Sequence, residues 1–341
     1  MDDTRPVPRI KIGDALNKSL FITRLSRSTR TFGIFAALSS AVFFGMTPIF
    51  GKQAILNGVH PIAIAAIRTL LASGLIFILM MLFYRKYLYI YPAGLMGCFL
   101  AGVINGIGSL FYYNSLGRIE AGVGQLLYSL YPLFLILWLS LDRQMPGKLT
   151  IIRIGIAFMA VYLLTRTENH PIDLLGVFEM LLASALYALH IPINQRVLYE
   201  MPAPTVTAYT LLSMSLVVTP ACFLSKDANL PIGMNAWLPI LGLTLVTFLS
   251  RLTLFLGVKH IGGMQTALLG LSEILVTLFF AHFWLGEQFN NYQWLGTGLM
   301  VISLMLVVID KPPVKRHVLS GWLSWIRPPT QSSEISWQPH D

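Results

Sequence analysis

Blocks of about 20 consecutive apolar residues recur along this 341-residue chain and constrain its fold more than any other feature. Each block can cross a bilayer as one α-helix, because a helix rises about 1.5 Å per residue. Hydrophobic residues make up 55% of the chain and charged residues only 11%, against roughly 25% charged residues in soluble domains. Because this is too little charge to cover a water-soluble surface, we expect an all-α integral membrane protein.

The apolar blocks predict ten transmembrane helices separated by short connections. The predicted spans are 32–51, 62–84, 92–116, 119–140, 149–165, 174–194, 204–224, 236–258, 262–285 and 291–309. Pro and Gly punctuate several of the connections between them. No connection is long enough to hold a soluble domain.

The positively charged residues are divided unequally between the two sides of this predicted bundle. With ten spans both termini lie on one side, and eighteen of the 24 Lys and Arg fall there. Only four lie on the other side, namely Lys52, Arg118, Arg166 and Lys226. Because cytoplasmic loops carry the excess of Lys and Arg, both termini are predicted to be cytoplasmic, in the cell (inner) membrane. The net charge of +9 thus reflects membrane orientation, and no nucleic-acid partner is expected.

The second half of the chain repeats the first after 141 to 144 residues. Matching pairs include Ser40 and Ser184, Pro48 and Pro192, Thr69 and Thr210, Ile119 and Ile261, and Gly155 and Gly296. Two repeats of five spans each, 32–165 and 174–310, are therefore predicted between cytoplasmic tails at 1–31 and 311–341. Because five is odd, the second repeat enters the membrane upside down. Inverted repeats are typical of secondary transporters.

Short motifs give this architecture a resemblance to a known family. Leu130-Tyr131-Pro132 lies in the fourth predicted span, and Ser272-Glu273 lies in the ninth, which Leu285-Gly286-Glu287 closes. With the two repeats, these motifs resemble the drug/metabolite transporter superfamily, specifically its ten-span EamA-type members. The resemblance covers about residues 32–310 and implies transport of amino acids, related metabolites or drugs, usually by export.

The chain departs from the pattern of this family at two positions. Ile274 stands where the family commonly has Pro, and Met145-Pro146 stands where it tends to carry a loop Glu. Asp142 is a candidate substitute for that Glu. The departure leaves any role of the acidic position in doubt for the first repeat.

Two charged residues fall deep inside predicted spans, where a charge costs about 2.5–3.5 kcal/mol on insertion scales. Glu273 lies near the middle of the ninth span, and Arg251 lies inside the eighth. Successive antiparallel helices are neighbours, so the two side chains could pair. One interpretation is a substrate or proton site, and the other is a structural ion pair between two helices.

Threonines share faces with both charges, which favours a hydrated cavity over lipid contact. Thr244 and Thr247 lie on the face of Arg251, and Thr266 and Thr277 lie on that of Glu273. Hydroxyls that bond to their own backbone are the alternative interpretation.

The sixth span presents Glu179, Tyr187, His190 and Asn194 within one sector of the helix. Such a ladder could line a transport pathway, beside the backbone carbonyl that Pro192 leaves without a donor. A histidine that only packs and hydrogen-bonds is the alternative.

Further polar candidates fall in the second, third and fourth spans. The third contributes Asn105, Ser109, Tyr112 and Tyr113, and the fourth contributes Gln125, Tyr128 and Tyr131. Tyrosine combines an apolar ring with a polar tip and suits an amphipathic organic solute, although these residues could instead join helices by hydrogen bonds. Arg68 in the second span could snorkel outward or reach an anionic group in the vestibule, a position where the family commonly has a basic or aromatic residue.

The sequence therefore predicts a secondary transporter that works by alternating access on a small-molecule solute, with protons as a candidate coupling ion. No cofactor or metal is expected, and G-x-x-x-x-G-K-[ST], H-E-x-x-H, G-x-S-x-G and G-x-G-x-x-G motifs do not occur. An ATP-driven pump or a membrane enzyme is thus disfavoured. A membrane-embedded sensor, or a flippase of lipids or sugar-lipids, is the open alternative on the same scaffold.

Overall fold

The computed structural model describes residues 12–141, 148–164, 173–225 and 233–309. Across these ranges all regular structure is helical. The helices are α1 Ile12–Leu56, α2 Pro61–Phe83, a 3-10 helix Arg85–Leu88, α3 Pro92–Arg118, α4 Ala121–Tyr128, α5 Tyr131–Leu141, α6 Lys148–Leu164, α7 Leu174–Leu198, α8 Ala203–Leu224, α9 Met234–Ile261, α10 Gly263–Gly270, α11 Glu273–Leu285 and α12 Asn291–Ile309.

Seven helical stretches among the described residues are long and apolar enough to cross a membrane. They are Arg30–Leu56, Pro61–Phe83, Pro92–Arg118, Ala121–Trp138, Leu174–Leu198, Ala203–Leu224 and Met234–Ile261. The other predicted spans, 149–165, 262–285 and 291–309, fall on α6, on α10 with α11, and on α12. Several predicted features lie outside the described residues, namely residues 1–11, Asp142, Met145, Pro146, Arg166, Lys226 and the tail 311–341.

The first helix and two of the spans differ from the sequence prediction. Helix α1 begins at Ile12, twenty residues before the predicted start, although its apolar stretch begins only at Arg30. The predicted spans 119–140 and 262–285 are each split into two helices by a short turn. These turns lie inside the bundle.

Serine hydroxyls hydrogen-bond to backbone carbonyls at both helix breaks. Pro132 has no N–H to donate to the Tyr128 carbonyl, which accepts instead from the Ser184 hydroxyl of α7 at 2.7 Å. The second break lacks a proline, yet the Ser272 hydroxyl donates in the same way to the Leu269 carbonyl at 2.8 Å. Serine side chains therefore satisfy carbonyls where each helix is interrupted.

The main helix contacts between the two halves of the chain come in matching pairs. Helix α1 packs along α9 and against α10 and α11, whereas α7 packs along α3 and against α4 and α5. Helix α2 packs on α8, and α6 packs on α12. When each helix from α1 to α6 is matched with the helix six places later, from α7 to α12, the contact of α1 with α9 corresponds to that of α7 with α3, and the other contacts correspond in the same way.

The polarity of the bundle is reversed relative to a soluble protein. Large apolar side chains face outward, with Phe83 70% exposed and Phe223 86% exposed. Charged side chains are buried inside, with Arg251 5% exposed and Glu273 3% exposed. Only a lipid surround makes this arrangement favourable, so the chain is a multi-pass membrane protein.

Candidate functional site

A polar cavity lies at the centre of the bundle, beside both helix breaks. Its empty volume, counted together with the solvent at its opening, is about 480 Å³. The cavity is lined by Phe44, Thr47, Arg68, Asn105, Gly108, Ser109, Tyr112, Tyr113, Gln125, Tyr128, Thr247, Ser250, Arg251 and Glu273. Both halves of the chain contribute, because α9 and α11 supply the last four residues.

Arg68 of α2 is held in the cavity wall by two hydroxyl groups. Its Nη1 donates to Thr247 Oγ1 at 3.0 Å and its Nη2 donates to Ser109 Oγ at 2.6 Å. Its guanidinium carbon lies 4.7 Å from the centre of the Tyr113 ring, a cation–π distance. The Nε of Arg68 is buried without a hydrogen-bond partner. The guanidinium is thus fixed in position by neutral groups alone.

Arg251 of α9 is held by an imidazole and an amide. Its Nη1 lies 3.1 Å from His190 Nε2. Its Nη2 donates to Asn105 Oδ1 at 3.3 Å, and turning the Asn105 amide over shortens this contact to 2.9 Å. The rings of Phe44 and Tyr187 lie 5.1 and 5.3 Å from the guanidinium carbon. As in Arg68, Nε is buried without a hydrogen-bond partner.

His190 is neutral in this arrangement. A guanidinium only donates hydrogen bonds, so His190 Nε2 must accept from Arg251. The other ring nitrogen, Nδ1, therefore carries the proton and donates to the Tyr187 carbonyl. His190 is fully buried and does not line the cavity, so it positions Arg251 from behind.

Glu273 is the acidic residue of the cavity and stands at the first position of α11. Gln125 hydrogen-bonds to its carboxyl group, while Oε1 is buried without a hydrogen-bond partner. Among the described ion pairs none joins Glu273 to Arg251. The structural pair considered from the sequence is therefore not formed, although both side chains line one cavity.

Tyrosine rings form one side of the cavity and continue behind it. The Tyr112 and Tyr128 rings are 5.0 Å apart, and the Tyr128 and Tyr187 rings are 5.2 Å apart. Tyr131 lies 5.0 Å from Tyr187 by ring centres, and its hydroxyl donates to the Ala267 carbonyl at the end of α10. These rings provide an apolar wall beside the charged groups.

The remaining candidates from the sequence lie away from the cavity. Glu179 accepts from Asn114 Nδ2 at 2.6 Å and lies 3.6 Å from Arg118 Nε, near one end of the bundle. Asn194 accepts from Thr210 at 3.1 Å, so the predicted ladder on α7 does not form one continuous lining.

The predicted threonine stripes also contribute little to the lining. Thr244 and Thr266 donate to carbonyls of their own helices, which is the alternative considered from the sequence. Thr277 donates instead to the Gly45 carbonyl of α1 at 2.7 Å. Of these stripes only Thr247, with the two charged residues, lines the cavity.

The sequence reasoning missed four residues of the lining, namely Phe44, Thr47, Gly108 and Ser250. The internal repeat contains a signal for two of them. At the shift of 144 residues that relates Ser40 to Ser184 and Pro48 to Pro192, Tyr187 matches Phe43 and His190 matches Met46, which directly precede Phe44 and Thr47. Applying the repeat to each candidate would have placed the matching residues of α1 at the same depth.

One end of the bundle carries a second charged cluster, between α1, the α3–α4 turn and the segment after α11. Lys52 Nζ donates to the carbonyls of Leu116 and Ile119 at 2.9 and 2.7 Å. Glu287 accepts from the N–H groups of Ala121 and Gly122 at 2.6 and 2.8 Å. Burial raises the pKa of Glu287 above its ordinary value, against these hydrogen bonds. Glu287 thus caps α4, a role that the sequence analysis did not predict.

An apolar helical bundle around a central, charged cavity is the architecture of multi-pass membrane transporters. The family model that matches is the EamA-like transporter family, over residues 31–166 and 174–309. These two matches cover most of the chain, which belongs to this family. The resemblance stated from the sequence motifs is thus confirmed.

One relative agrees with this assignment, and one solved structure shares the fold. The chain is 25% identical over 286 residues to a protein of Bacillus subtilis (strain 168) described as the uncharacterized transporter YcbK. That alignment covers 78% of this chain and 89% of the relative. A protein crystal structure superposes with a TM-score of 0.60 at 13% identity, over 81% of this chain and 96% of the other. The family and the named relative point to a transporter rather than an enzyme.

Proposed function

We propose that this protein is a secondary transporter that exports small polar or amphipathic metabolites, such as amino acids or drugs, by alternating access. The observation that carries this proposal is the central cavity, which holds two guanidinium groups and one carboxyl group inside an apolar bundle. Buried charges in a membrane are costly and generally mark a path for a solute or an ion. Both halves of the chain line the cavity, so movement between them would open it.

The proposed architecture has ten crossings in two inverted repeats. The exchange of packing partners between the halves supports it. So does the presence of one interrupted span in each half, α4 with α5 and α10 with α11, since interrupted helices surround the sites of inverted-repeat transporters. A side chain caps the first N–H of both short helices, Glu287 at Ala121 and Gln195 at Gly263.

The distribution of Lys and Arg supports an orientation with both termini in the cytoplasm of the cell and the protein in its inner membrane. Lys52, Arg118 and Glu287 would then face the outside. Protons are the proposed coupling ion, because Glu273 is a carboxyl group in the cavity with one oxygen free of hydrogen bonds.

Counterflow in proteoliposomes tests this function. Vesicles preloaded with a pool of unlabelled metabolites are diluted into the labelled pool, and the labelled compounds retained inside are identified. We expect one or more compounds to accumulate transiently in sealed proteoliposomes and none in protein-free or permeabilised vesicles. Chemical conversion of a compound by the detergent-solubilised protein, without counterflow, would contradict transport. Exchange of labelled lipid between leaflets, with no soluble compound accumulating, would indicate the flippase alternative.

A further inference from the structure

The two guanidinium groups of the cavity form one positively charged unit. Asn105 and Ser109 lie one turn apart on α3, and they contact Arg251 and Arg68 respectively. Thr247, which accepts from Arg68, lies one turn before Arg251 on α9. One helical turn of four residues spans about 6 Å. The two charges are therefore held side by side across the cavity, one from each half of the chain.

Within the described ranges, no carboxylate forms an ion pair with either arginine of this unit. The hydrogen-bond partners of the two arginines are Thr247, Ser109, Asn105 and His190, and all four are neutral. Glu273 shares the cavity but forms no ion pair with Arg251 among the described contacts. Two positive charges and one carboxyl group leave the cavity with a positive excess.

The geometry around the arginines favours a bound oxyanion. Aromatic rings lie within cation–π distance of both guanidinium groups. The N–H donors of each guanidinium point outward in its own plane. Each guanidinium retains a buried Nε–H that no group in the described part of the chain accepts. Planar guanidinium edges match the two oxygens of a carboxylate or the oxygens of a phosphate. Buried donors without acceptors are costly, and a bound oxyanion would remove that cost.

We infer that the transported solute carries an oxyanionic group, a carboxylate or a phosphate, which binds between Arg68 and Arg251. This inference rests on the proposed function and names the substrate class of the same cavity. The tyrosine wall of Tyr112 and Tyr128 then faces the rest of the solute. A second negative charge on the solute, close to the Glu273 carboxylate, would be repelled. A hydrogen-bond donor on the solute would instead satisfy Glu273 Oε1, which has no other partner.

Small ions test the anion site without knowledge of the solute. The purified full-length protein is unfolded thermally in detergent, with chloride replaced by acetate or phosphate, or with sodium replaced by ethylammonium, at constant ionic strength. The reference anion is chloride rather than gluconate, because gluconate is itself a carboxylate. We expect acetate or phosphate, but not ethylammonium, to raise the unfolding temperature in a saturable manner. The wild-type protein alone can overturn the inference. It would do so if neither anion gave a saturable rise in the unfolding temperature, or if ethylammonium gave a larger rise.

Matched variants locate the effect in the cavity. Arg68→Gln and Arg251→Gln should each weaken the apparent affinity for the stabilising anion at least tenfold, whereas Arg196→Gln should not change it. Arg196 is a suitable control because it pairs with Glu200 outside the cavity. If a glutamine variant is not monodisperse, Arg→Lys at the same position, which keeps the charge but loses the planar fork, should weaken binding partially. Unchanged affinity in the cavity variants would overturn the inference.

Failure of this inference differs from failure of the proposed function. Anion stabilisation that depends on both arginines, without counterflow of any compound, would leave the anion site intact and remove transport. Counterflow confined to cationic or neutral compounds would leave transport intact and remove the anion site.

Discussion

Arg251 donates to His190 Nε2 across 3.1 Å, and this bond fixes the imidazole as its neutral, Nδ1-protonated form. His190 itself is fully buried and lies behind the cavity wall. The imidazole thus acts on the cavity through Arg251. It orients the guanidinium while adding no charge.

Removing this acceptor should destabilise the protein. His190→Phe keeps a ring but leaves Arg251 Nη1 unpaired, so the free energy of unfolding should fall by about 1–3 kcal/mol. His190→Gln offers an amide oxygen and should recover part of the loss. Chemical unfolding of the detergent-solubilised variants measures both. The exposed His260 provides the control, and an equal loss in His260→Phe and His190→Phe would contradict this role.

Gly270, the last residue of α10, lies against the Tyr131 hydroxyl at the second helix break. A Cβ at residue 270 would collide with the Tyr131 hydroxyl, which donates to the Ala267 carbonyl at 3.0 Å. Gly270→Ala should therefore destabilise the bundle by about 1–3 kcal/mol, the range for overpacking.

Tyr131→Phe removes that hydroxyl and tests the contact directly. In the double variant the loss should be smaller than the sum of the single losses, by about 0.5 kcal/mol or more. Thermal unfolding of the four proteins provides the cycle. Additive losses would show that Gly270 and Tyr131 do not act on each other.

The cap on α4 should give a pH-dependent stability. Burial raises the pKa of Glu287 above its ordinary value of 4.5, so the folded state binds this proton more tightly than the unfolded state. Stability from this group is greatest below pH 4.5 and falls as the pH rises through the raised pKa.

Glu287→Gln removes this titration and supplies the comparison. The advantage of the wild-type protein over Glu287→Gln should shrink as the pH is raised from the ordinary carboxyl range to above the raised pKa. Unfolding temperatures across a pH series measure this difference. An advantage that grows with pH over this interval would show that the cap bonds outweigh burial.

Glu273 should be required for transport but not for insertion. Glu273→Gln keeps the shape of the side chain and removes its charge and its capacity to bind a proton. Counterflow or its pH dependence should be lost while the amount of protein in the membrane is unchanged. Glu200→Gln, at an exposed carboxyl group outside the cavity, should behave as wild type. Unchanged transport and pH dependence in Glu273→Gln would remove Glu273 from the site.

Exchanging Arg251 and Glu273 tests their independence. Because the two side chains do not pair in the structure, the exchanged variant should be destabilised and inactive. His190 and Asn105 would then face a carboxylate, and Gln125 would face a guanidinium. Wild-type stability in the exchanged variant would indicate a structural pair instead.

The positions of the helices could largely be predicted, because lipid imposes a length and an apolar composition on each crossing. The helix breaks at Ser129 and Ser272 were not predicted from the sequence. Pro132 gave a signal for the first, but the second occurs with Ile274 where a proline would have indicated it. At that break the Ser272 hydroxyl donates to the Leu269 carbonyl and Gly270 lies against Tyr131, and the second of these contacts arises only in the folded bundle.

The candidate site was predicted in part for a similar reason. Buried charge singles out Arg68, Arg251 and Glu273 from the sequence, since such residues are costly in lipid. The partner of each charge depends on which helices meet, and α9 meets α7, which carries His190. Arg251 consequently contacts His190 rather than Glu273.

Accessibility of Thr47 tests alternating access most directly. Thr47→Cys, with Cys98 and Cys222 replaced by Ala, places one thiol on the cavity wall. A membrane-impermeant thiol reagent is applied to right-side-out and to inside-out vesicles. We expect labelling from both sides of the membrane. A solute identified in counterflow should alter the ratio of the labelling rates from the two sides. Labelling from one side only, with or without that solute, would contradict a cavity that opens alternately to the two faces of the membrane.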